Sequence, residues 1–112
     1  MKTPNELYEA LIPICKEARD NIVELFKKHD ITWLDTSEEA CQMHGVDACW
    51  AIYSFGEALQ ETRVNRVKVE DGCVELMLDD GYGEDLCWAD DDDYMLYSLL
   101  SVYDTVYHML KS

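Results

Sequence analysis

The dipeptide Asp71-Gly72 stands between two alternating runs of apolar and polar residues, VNRVKVE on its N-terminal side and CVELML on its C-terminal side. An Asp-Gly pair in this setting is the strongest short-range signal for a β-hairpin with a two-residue turn. Because such a turn fixes the register, the sequence predicts three cross-strand pairs: Val69 with Val74, Lys68 with Glu75, and Val67 with Leu76. The apolar pairs then share one face of the hairpin, and the opposite-charge pair lies on the other face.

A second turn signal, the tripeptide GYG that ends at Gly83, predicts a third strand. A three-residue loop would pair Leu78 with Leu86 and Leu76 with Trp88, which adds all four side chains to the same apolar face. The outer face would then carry a mixed set of residues, namely Arg66, Lys68, Glu75, Met77 and Cys87. We therefore predict a three-stranded antiparallel meander with strands at about 64–70, 73–79 and 84–89.

The N-terminal segment predicts a long helix. Thr3 and Glu6 form a capping-box pattern, and Pro4 suits the first helical position. Pro13 lies inside the helix, where its missing N–H and its ring are expected to cause a kink. The apolar stripe follows alternating four- and three-residue spacing and comprises Leu7, Leu11, Ile14, Ala18, Ile22 and Leu25.

Three further elements are predicted with different degrees of local support. Residues 30–35 form a connection or a short strand, and residues 36–45 form a short helix with a Thr36–Glu39 capping box. Residues 47–59 favour a helix, although the same apolar segment also suits a buried strand. Its helical stripe would be Ala48, Ile52, Phe55 and Leu59. The last helix follows the aspartate run, with a stripe of Leu96, Leu99, Leu100, Tyr103, Tyr107 and Leu110.

These elements predict an α+β domain of two layers over residues 1–112. In it, the three-stranded antiparallel meander at about 64–89 has the N-terminal and C-terminal helices packed on one face. The length fits one domain. No apolar run approaches the ~20 residues of a membrane span, and the N-terminus lacks an apolar signal core, so we expect a cytoplasmic protein. In that compartment the five cysteines, an odd number, are expected to be reduced.

The net charge of −15 is distributed unevenly along the chain. Residues 1–28 hold five acidic and five basic side chains, whereas residues 69–110 hold twelve acidic side chains and no Lys or Arg. Such a field repels nucleic acid and anionic membranes and attracts basic surfaces. The alternative is that the charge serves solubility alone.

Four consecutive aspartates, Asp90–Asp93, precede the last helix. A helix N-terminus accommodates one or two carboxylates, so four exceed what a cap requires. The antiparallel meander brings Asp90 towards Glu70 and Asp71, and Tyr82 at a turn tip offers an exposed aromatic anchor. The predicted partner-binding patch therefore comprises Glu70, Asp71, Asp90, Asp91, Asp92, Asp93 and Tyr82. The alternative is a solvated helix cap.

A second acidic group surrounds the GYG turn and offers a weaker candidate for a metal site. The predicted register sets Asp79 opposite Asp85 and Asp80 opposite Glu84, which is unfavourable without relief. A divalent cation would relieve it, because carboxylates suit calcium or magnesium. The spacing does not match a calcium-binding loop, however, and splaying of the loop into water is simpler. We therefore assign no metal and no cofactor.

Cys41 and His44 are three residues apart, which would place them on one helix face with Cys49 nearby. That spacing suits half of a zinc site or a Cys–His pair. The sequence supplies no fourth ligand, no C-x-x-C and no group to stabilise an oxyanion. Reduced, semi-buried cysteines are the alternative, and we do not expect an enzyme.

Charge and size together favour a small acidic interaction protein that docks a basic partner protein, as inhibitors and nucleic-acid mimics do. Three alternatives stay open. They are a divalent-cation module at residues 79–85, a small Cys/His enzyme, and partner binding through the outer face of the sheet with the acid serving solubility. The sequence does not determine the oligomeric state.

Overall fold

Helices at both ends of the chain and an antiparallel sheet form an α+β fold. The computed structural model describes residues 3–55, 58–82, 84–90 and 98–111. In chain order the elements are α1 (Pro4–Lys28), β1 (Trp33–Asp35), α2 (Glu38–Met43), β2 (Trp50–Phe55), β3 (Ala58–Glu70), β4 (Cys73–Asp79), β5 (Asp85–Asp90) and α3 (Ser98–Leu110). Over the described residues, the sheet thus has five strands instead of the three expected, because the predicted meander, β3–β4–β5, is extended by β1 and β2. None of the described helices has the length and apolar character needed to cross a bilayer.

β3 is the longest strand and organises the sheet. One edge of β3 pairs with β4, and β5 follows β4. The other edge pairs with two short strands in succession, β1 opposite Arg66–Lys68 and β2 opposite Ala58–Arg63. β1 and β2 therefore make one edge strand that is interrupted by α2.

The helix favoured for residues 47–59 is wrong, since this segment forms β2 and the start of β3. The proposed helical stripe is not buried as a unit: Ile52 and Leu59 are exposed, whereas Ala51 is buried. Pairing with the long β3 satisfies the backbone of this segment, and a short apolar run fits either structure locally. Pairing with β3 therefore determines whether this segment is a helix or a strand.

The Asp71-Gly72 hairpin has the predicted register, with Val69 opposite Val74, Lys68 opposite Glu75, and Val67 opposite Leu76. Both turn residues adopt the left-handed conformation that this turn requires, with φ of 53° at Asp71 and 77° at Gly72. The strongest local signal in the sequence therefore fixes the centre of the sheet.

The predicted register between β4 and β5 holds at the turn and fails beyond it. Asp79 lies opposite Asp85 as expected, but a bulge then inserts Leu86 as an extra residue. Beyond the bulge, Leu78 opposes Cys87 and Met77 opposes Trp88. A shift of one residue exchanges the two faces of a strand, so Trp88 leaves the core and Cys87 turns towards it.

The hydrophobic core lies between one face of the sheet and the two long helices. Its buried members come from α1, β2, β3, β4, β5 and α3 and include Ala18, Ile22, Phe26, Ala51, Val64, Val67, Val74, Leu76, Leu78, Ala89, Leu99, Val102 and Val106. α1 packs against α3 and β4, and α3 packs against β2.

Both helical stripes are only partly as predicted. α1 runs unbroken through Pro13 and has the expected capping box, in which the Glu6 N–H donates to Thr3 Oγ1 at 3.2 Å. Its buried stripe consists of Cys15, Ala18, Ile22 and Phe26, while the predicted members Leu7, Leu11 and Ile14 are exposed. In α3 the buried residues are Ser98, Leu99, Val102, Val106 and Met109, whereas Leu100 and Tyr107 are exposed and Leu96 lies outside the described residues.

The predicted short helix at 36–45 corresponds to α2, but its cap is different. Ser37 Oγ accepts from the Ala40 N–H at 3.3 Å. Thr36, the predicted cap, is buried and its hydroxyl donates to the carbonyl of Val64 at 2.8 Å. Thr36 therefore continues the contact with β3 beyond the end of β1, and the helix begins one residue later.

Candidate functional site

The face of the sheet opposite the helices is formed by residues of four strands, which the pairing places in two rows. One row contains Asp35, Arg66, Met77 and Trp88, and the other contains Trp33, Lys68, Glu75 and Asp90. We call these eight residues the outer face. Two large aromatic side chains thus lie on this face, at strand positions that alternate with the positions facing the core.

The two tryptophans of the outer face are exposed and each lies beside a cation. Trp33 is 56% exposed and Trp88 is 40% exposed. The Arg66 guanidinium carbon is 6.0 Å from the Trp33 ring centroid, and Lys68 Nζ is 5.6 Å from the Trp88 ring centroid. Both distances lie within the range of cation–π contacts. Between them lies a shallow cavity of about 260 Å³, whose remaining wall includes Thr32.

The charged side chains on and beside the outer face have a net negative charge. Lys68 Nζ lies 2.9 Å from Glu70 Oε2 and 3.8 Å from Glu75 Oε2. The hydrogen bond to Glu70 raises the pKa of Lys68, so its charge is retained and largely neutralised by its neighbours. Asp35 and Asp90 add two further exposed carboxylates to the rows. The two cations thus line the cavity beside the rings, and the carboxylates lie around them.

The described members of the predicted acidic patch lie near one end of the sheet. Asp71 forms the hairpin turn, Glu70 opposes Cys73 beside that turn, and Asp90 pairs with Glu75. The other three aspartates of the run, 91–93, lie outside the described residues. The patch thus adjoins the outer face at the row that contains Lys68.

Tyr82 does not lie with this patch. It stands in the turn between β4 and β5, at the opposite end of β4, and it is 94% exposed. The seven residues of β4 separate the two ends by roughly 20 Å. The described members of the predicted partner-binding set therefore occupy two separate surfaces.

The opposed carboxylates Asp79 and Asp85 are relieved by protein groups. Asn65 Nδ2 donates to Asp79 Oδ2 at 3.0 Å and to Asp85 Oδ1 at 2.7 Å. Arg63 Nε donates to both oxygens of Asp79, at 3.0 and 3.1 Å, and Arg63 Nη1 reaches Glu38 at 2.9 Å. Asn65 is itself the extra residue of a bulge in β3.

The rest of the acidic turn is also internally bonded. Asp80 Oδ1 accepts from the N–H groups of Tyr82, at 2.7 Å, and Glu84, at 3.2 Å. Within the described part of the chain, no three His, Cys, Asp or Glu side chains are grouped to hold a metal ion. Protein groups therefore bond the carboxylates of Asp79, Asp80 and Asp85, whereas Glu84 contributes backbone hydrogen bonds.

The Cys41–His44 pair is not arranged as an activated nucleophile. Cys41 is buried, its thiol donates to the Thr36 carbonyl at 3.4 Å, and burial raises its pKa. Burial also raises the pKa of Cys49 to about 12. His44 is the exposed C-terminal cap of α2. Both thiols therefore stay protonated at neutral pH.

The chain matches no protein-family model, no curated protein and no solved structure.

The strand alternation in the sequence predicts part of the outer face but not its tryptophans. The alternation in β3 and β4 correctly placed Arg66, Lys68, Glu75 and Met77 on this face, but Trp88 was expected in the core. A bulge has no reliable local signature here, because Leu86 and Cys87 are both apolar enough to face inward. Trp33 shares a strand face with the polar Asp35 and alternates with Leu34, a pattern that could have indicated an outward position.

Proposed function

We propose that this protein is an interaction module whose outer face docks a basic partner protein. The observation that carries this proposal is the pair of exposed tryptophans, Trp33 and Trp88, on a sheet face whose opposite side holds the helices. Tryptophan is enriched among the residues that dominate binding energy, and a clustered apolar patch with a polar rim is typical of a docking surface.

The acidic rim supports a basic partner. Arg66 and Lys68 stack beside the rings, and Lys68 is already paired with Glu70 and Glu75. A partner with cations around an apolar centre would complement the carboxylates and bury the rings. Nucleic acid is a poor candidate because phosphates would meet a chain of net charge −15.

The size of the cavity favours a macromolecular partner over a small ligand. Small-molecule sites are clefts of ~300–1,000 Å³ that enclose most of the ligand. The cavity beside Trp33 and Trp88 measures about 260 Å³ and is shallow. A protein surface that inserts one or two side chains fits it better than an enclosed substrate does.

The acidic patch has a separate role in this proposal. Asp90 belongs to the outer face, and the adjoining carboxylates Glu70 and Asp71 extend the negative surface towards the hairpin end. Long-range attraction raises the rate of encounter, whereas desolvated anchors determine how long the complex lasts. The patch would steer the partner, and the tryptophans would hold it.

The proposal is tested by affinity capture of the tagged protein from lysate of its own cells, followed by binding measurements with the purified partner. We compare the wild type with a Trp33→Ala/Trp88→Ala double variant and with Trp50→Ala. Trp50 is a matched control, because it is also 40% exposed but does not line the cavity. The double variant should lose at least tenfold in affinity and Trp50→Ala should lose little.

Two outcomes would contradict the proposal. One is a retained partner that binds the double variant as tightly as the wild type. The other is a partner that is acidic, or whose affinity rises with salt, since docking on an acidic rim weakens as salt screens the attraction.

A further inference from the structure

The polar side-chain groups that line the cavity of the outer face are mainly hydrogen-bond donors. The guanidinium of Arg66, the ammonium of Lys68 and the indole N–H groups of the two tryptophans can donate but cannot accept. The hydroxyl of Thr32, in the wall, can do both. A ligand that fits this cavity therefore has to offer acceptors.

Some of these donors have no partner within the protein. Lys68 is paired with Glu70 and Glu75. Among the described residues, in contrast, the two indole N–H groups and the Arg66 guanidinium make no hydrogen bond. The guanidinium lies over the Trp33 ring instead. These donors can therefore bind a ligand without breaking an internal bond.

The spacing of the two tryptophans limits the shape of the ligand. Trp33 lies on β1 and Trp88 on β5, with β3 and β4 between them, so their backbones are roughly 14 Å apart across the sheet. Both rings line one cavity, so the rings are closer together than the backbones. A polyproline II segment repeats every three residues, or ~9 Å, which allows two prolines one turn apart to meet the two rings.

A proline-rich segment also has the hydrogen-bonding groups that complement this cavity. Proline has no backbone N–H, and the polyproline II conformation leaves the carbonyls without internal partners. Such a segment presents acceptors and apolar rings and brings few donors that need a partner. An α-helix has most of its carbonyls bonded internally, and an added β-strand needs a free sheet edge, whereas this surface is a sheet face.

Each tryptophan has a carboxylate beside it on the same strand face. Asp35 lies two residues after Trp33, and Asp90 lies two residues after Trp88. Because β1 and β5 run in opposite directions, the two Trp-x-Asp pairs point in opposite directions across the cavity. One carboxylate therefore lies beside each end of a segment that joins the two rings.

We propose that the outer face binds a proline-rich segment in the polyproline II conformation, with two prolines three residues apart and a basic residue on each side. This proposal rests on the docking function proposed above and names the part of the partner that enters the cavity. The prolines pack on Trp33 and Trp88. The carbonyls of the segment accept from Arg66 and from the indole N–H groups, and the flanking cations face Asp35 and Asp90.

The test is a fluorescence titration of the Trp50→Phe protein, whose two remaining tryptophans are those of the outer face. The ligand is the synthetic peptide acetyl-RAPPAPPAR-amide. The control peptide, acetyl-RAAAAAAAR-amide, has the same length and charge but no proline. The proline-rich peptide should change the tryptophan emission and bind at least tenfold more tightly than the control peptide. Calorimetry with the Trp33→Ala/Trp88→Ala variant should show at least a tenfold loss.

Arg66→Met separates hydrogen bonding from charge. Methionine keeps an unbranched apolar side chain but removes the donors, so this variant should bind the proline-rich peptide several-fold more weakly. If Arg66 merely repelled the basic ends of the peptide, the same substitution would tighten binding. Lys16→Met is the matched control, because Lys16 is an exposed cation on α1 and its loss changes the net charge equally. Circular dichroism checks that each variant is folded.

The proposal is overturned if the proline-rich peptide does not bind, if both peptides bind equally, or if Arg66→Met binds more tightly than the wild type. Failure of the docking function is a different result, namely a captured partner that binds without Trp33 and Trp88. A partner that requires both tryptophans but is not displaced by the proline-rich peptide would keep the docking function and refute this proposal.

Discussion

Arg63 and Asp79 allow two carboxylates to face each other where β4 meets β5. The Asp79 side chain is fully buried, and Arg63 is the cation that lies against it. Asn65 then joins Asp79 to Asp85 through both hydrogens of its amide. The backbone N–H of Gly81 also donates to Asp79 Oδ1 at 2.7 Å, which ties the turn to the same carboxylate.

Replacing Asp79 with Asn should be strongly destabilising, because it leaves the Arg63 guanidinium buried without its carboxylate. Removing one partner of a buried ion pair costs about 3–5 kcal/mol. Glu38→Gln is the control: Glu38 bonds the same Arg63 but is largely exposed, so its loss should cost no more than ~1 kcal/mol. Urea unfolding measures the loss of stability in both variants. Equal losses would show that Asp79 is not the principal partner of Arg63.

Cys49 should make the stability of the protein fall at alkaline pH. Burial raises its folded-state pKa from 9.0 to about 12, so the unfolded chain loses the thiol proton first. The stability that Cys49 contributes is complete below pH 9 and is lost between pH 9 and 12, at about 1.4 kcal/mol per pH unit. Urea unfolding from pH 8.5 upward should show a shallower decline in Cys49→Ala; identical slopes would contradict the buried, protonated thiol.

The turn length alone predicts that the Asp79 and Asp85 carboxylates lie opposite each other. It does not predict which groups bond these carboxylates and offset their repulsion. Arg63 reaches Asp79 because β3 continues far beyond the predicted strand, and Asn65 reaches both carboxylates because it is the extra residue of a bulge. Neither condition has a local signal, since both depend on the pairing of β3 with two partners. The sequence suggests a loop splayed into water or, less simply, a cation at this turn, and the structure adds bonds from Arg63 and Asn65 to the two carboxylates.

Among the elements, the Asp71-Gly72 hairpin was fully predictable and β2 was not. The hairpin is specified by residues within one short segment, whereas β2 is specified by its contact with β3. The Ser98 hydroxyl of α3 accepts from the Ile52 N–H at 2.8 Å, a contact across 46 positions of the chain. The cap of the N-terminal helix was predictable. The periodicity of its apolar stripe did not show which part of the stripe is buried in the core.

Because of the bulge at Leu86, we expect two substitutions on neighbouring strands to lower the free energy of unfolding by very different amounts. Trp88→Ala removes an exposed ring and one cation–π contact, which is worth about 0.5–1 kcal/mol at an exposed site. Leu76→Ala removes a fully buried side chain and should cost about 2–5 kcal/mol. Unfolding free energies of the two variants test the register directly. A larger loss for Trp88→Ala would favour the register without the bulge.

At the scale of the whole molecule, the net charge of −15 determines how docking depends on salt. A basic partner is attracted to the acidic protein, and salt screens that attraction. Raising the salt concentration should therefore weaken docking on the outer face.

Neutralising the aspartate run should change the kinetics of docking more than its lifetime. With the purified partner, replacing Asp90–Asp93 by asparagines should slow association several-fold and reduce its dependence on salt. The double variant of Trp33 and Trp88 should instead speed dissociation. Stopped-flow measurements separate the two, and an unchanged association rate after neutralisation would remove the steering role from the acidic patch.

The interruption of the edge strand by α2 bears on aggregation. An exposed strand edge is a template for pairing with other chains, and natural sheets blunt it with short strands, covering groups or charge. β1 is three residues long, α2 breaks the continuation to β2, and Ser98 occupies the edge of β2 at Ile52. β5, the strand at the far side, ends in Asp85 and Asp90, so two such edges repel each other. These features disfavour the growth of the sheet from one molecule into the next at both of its edges.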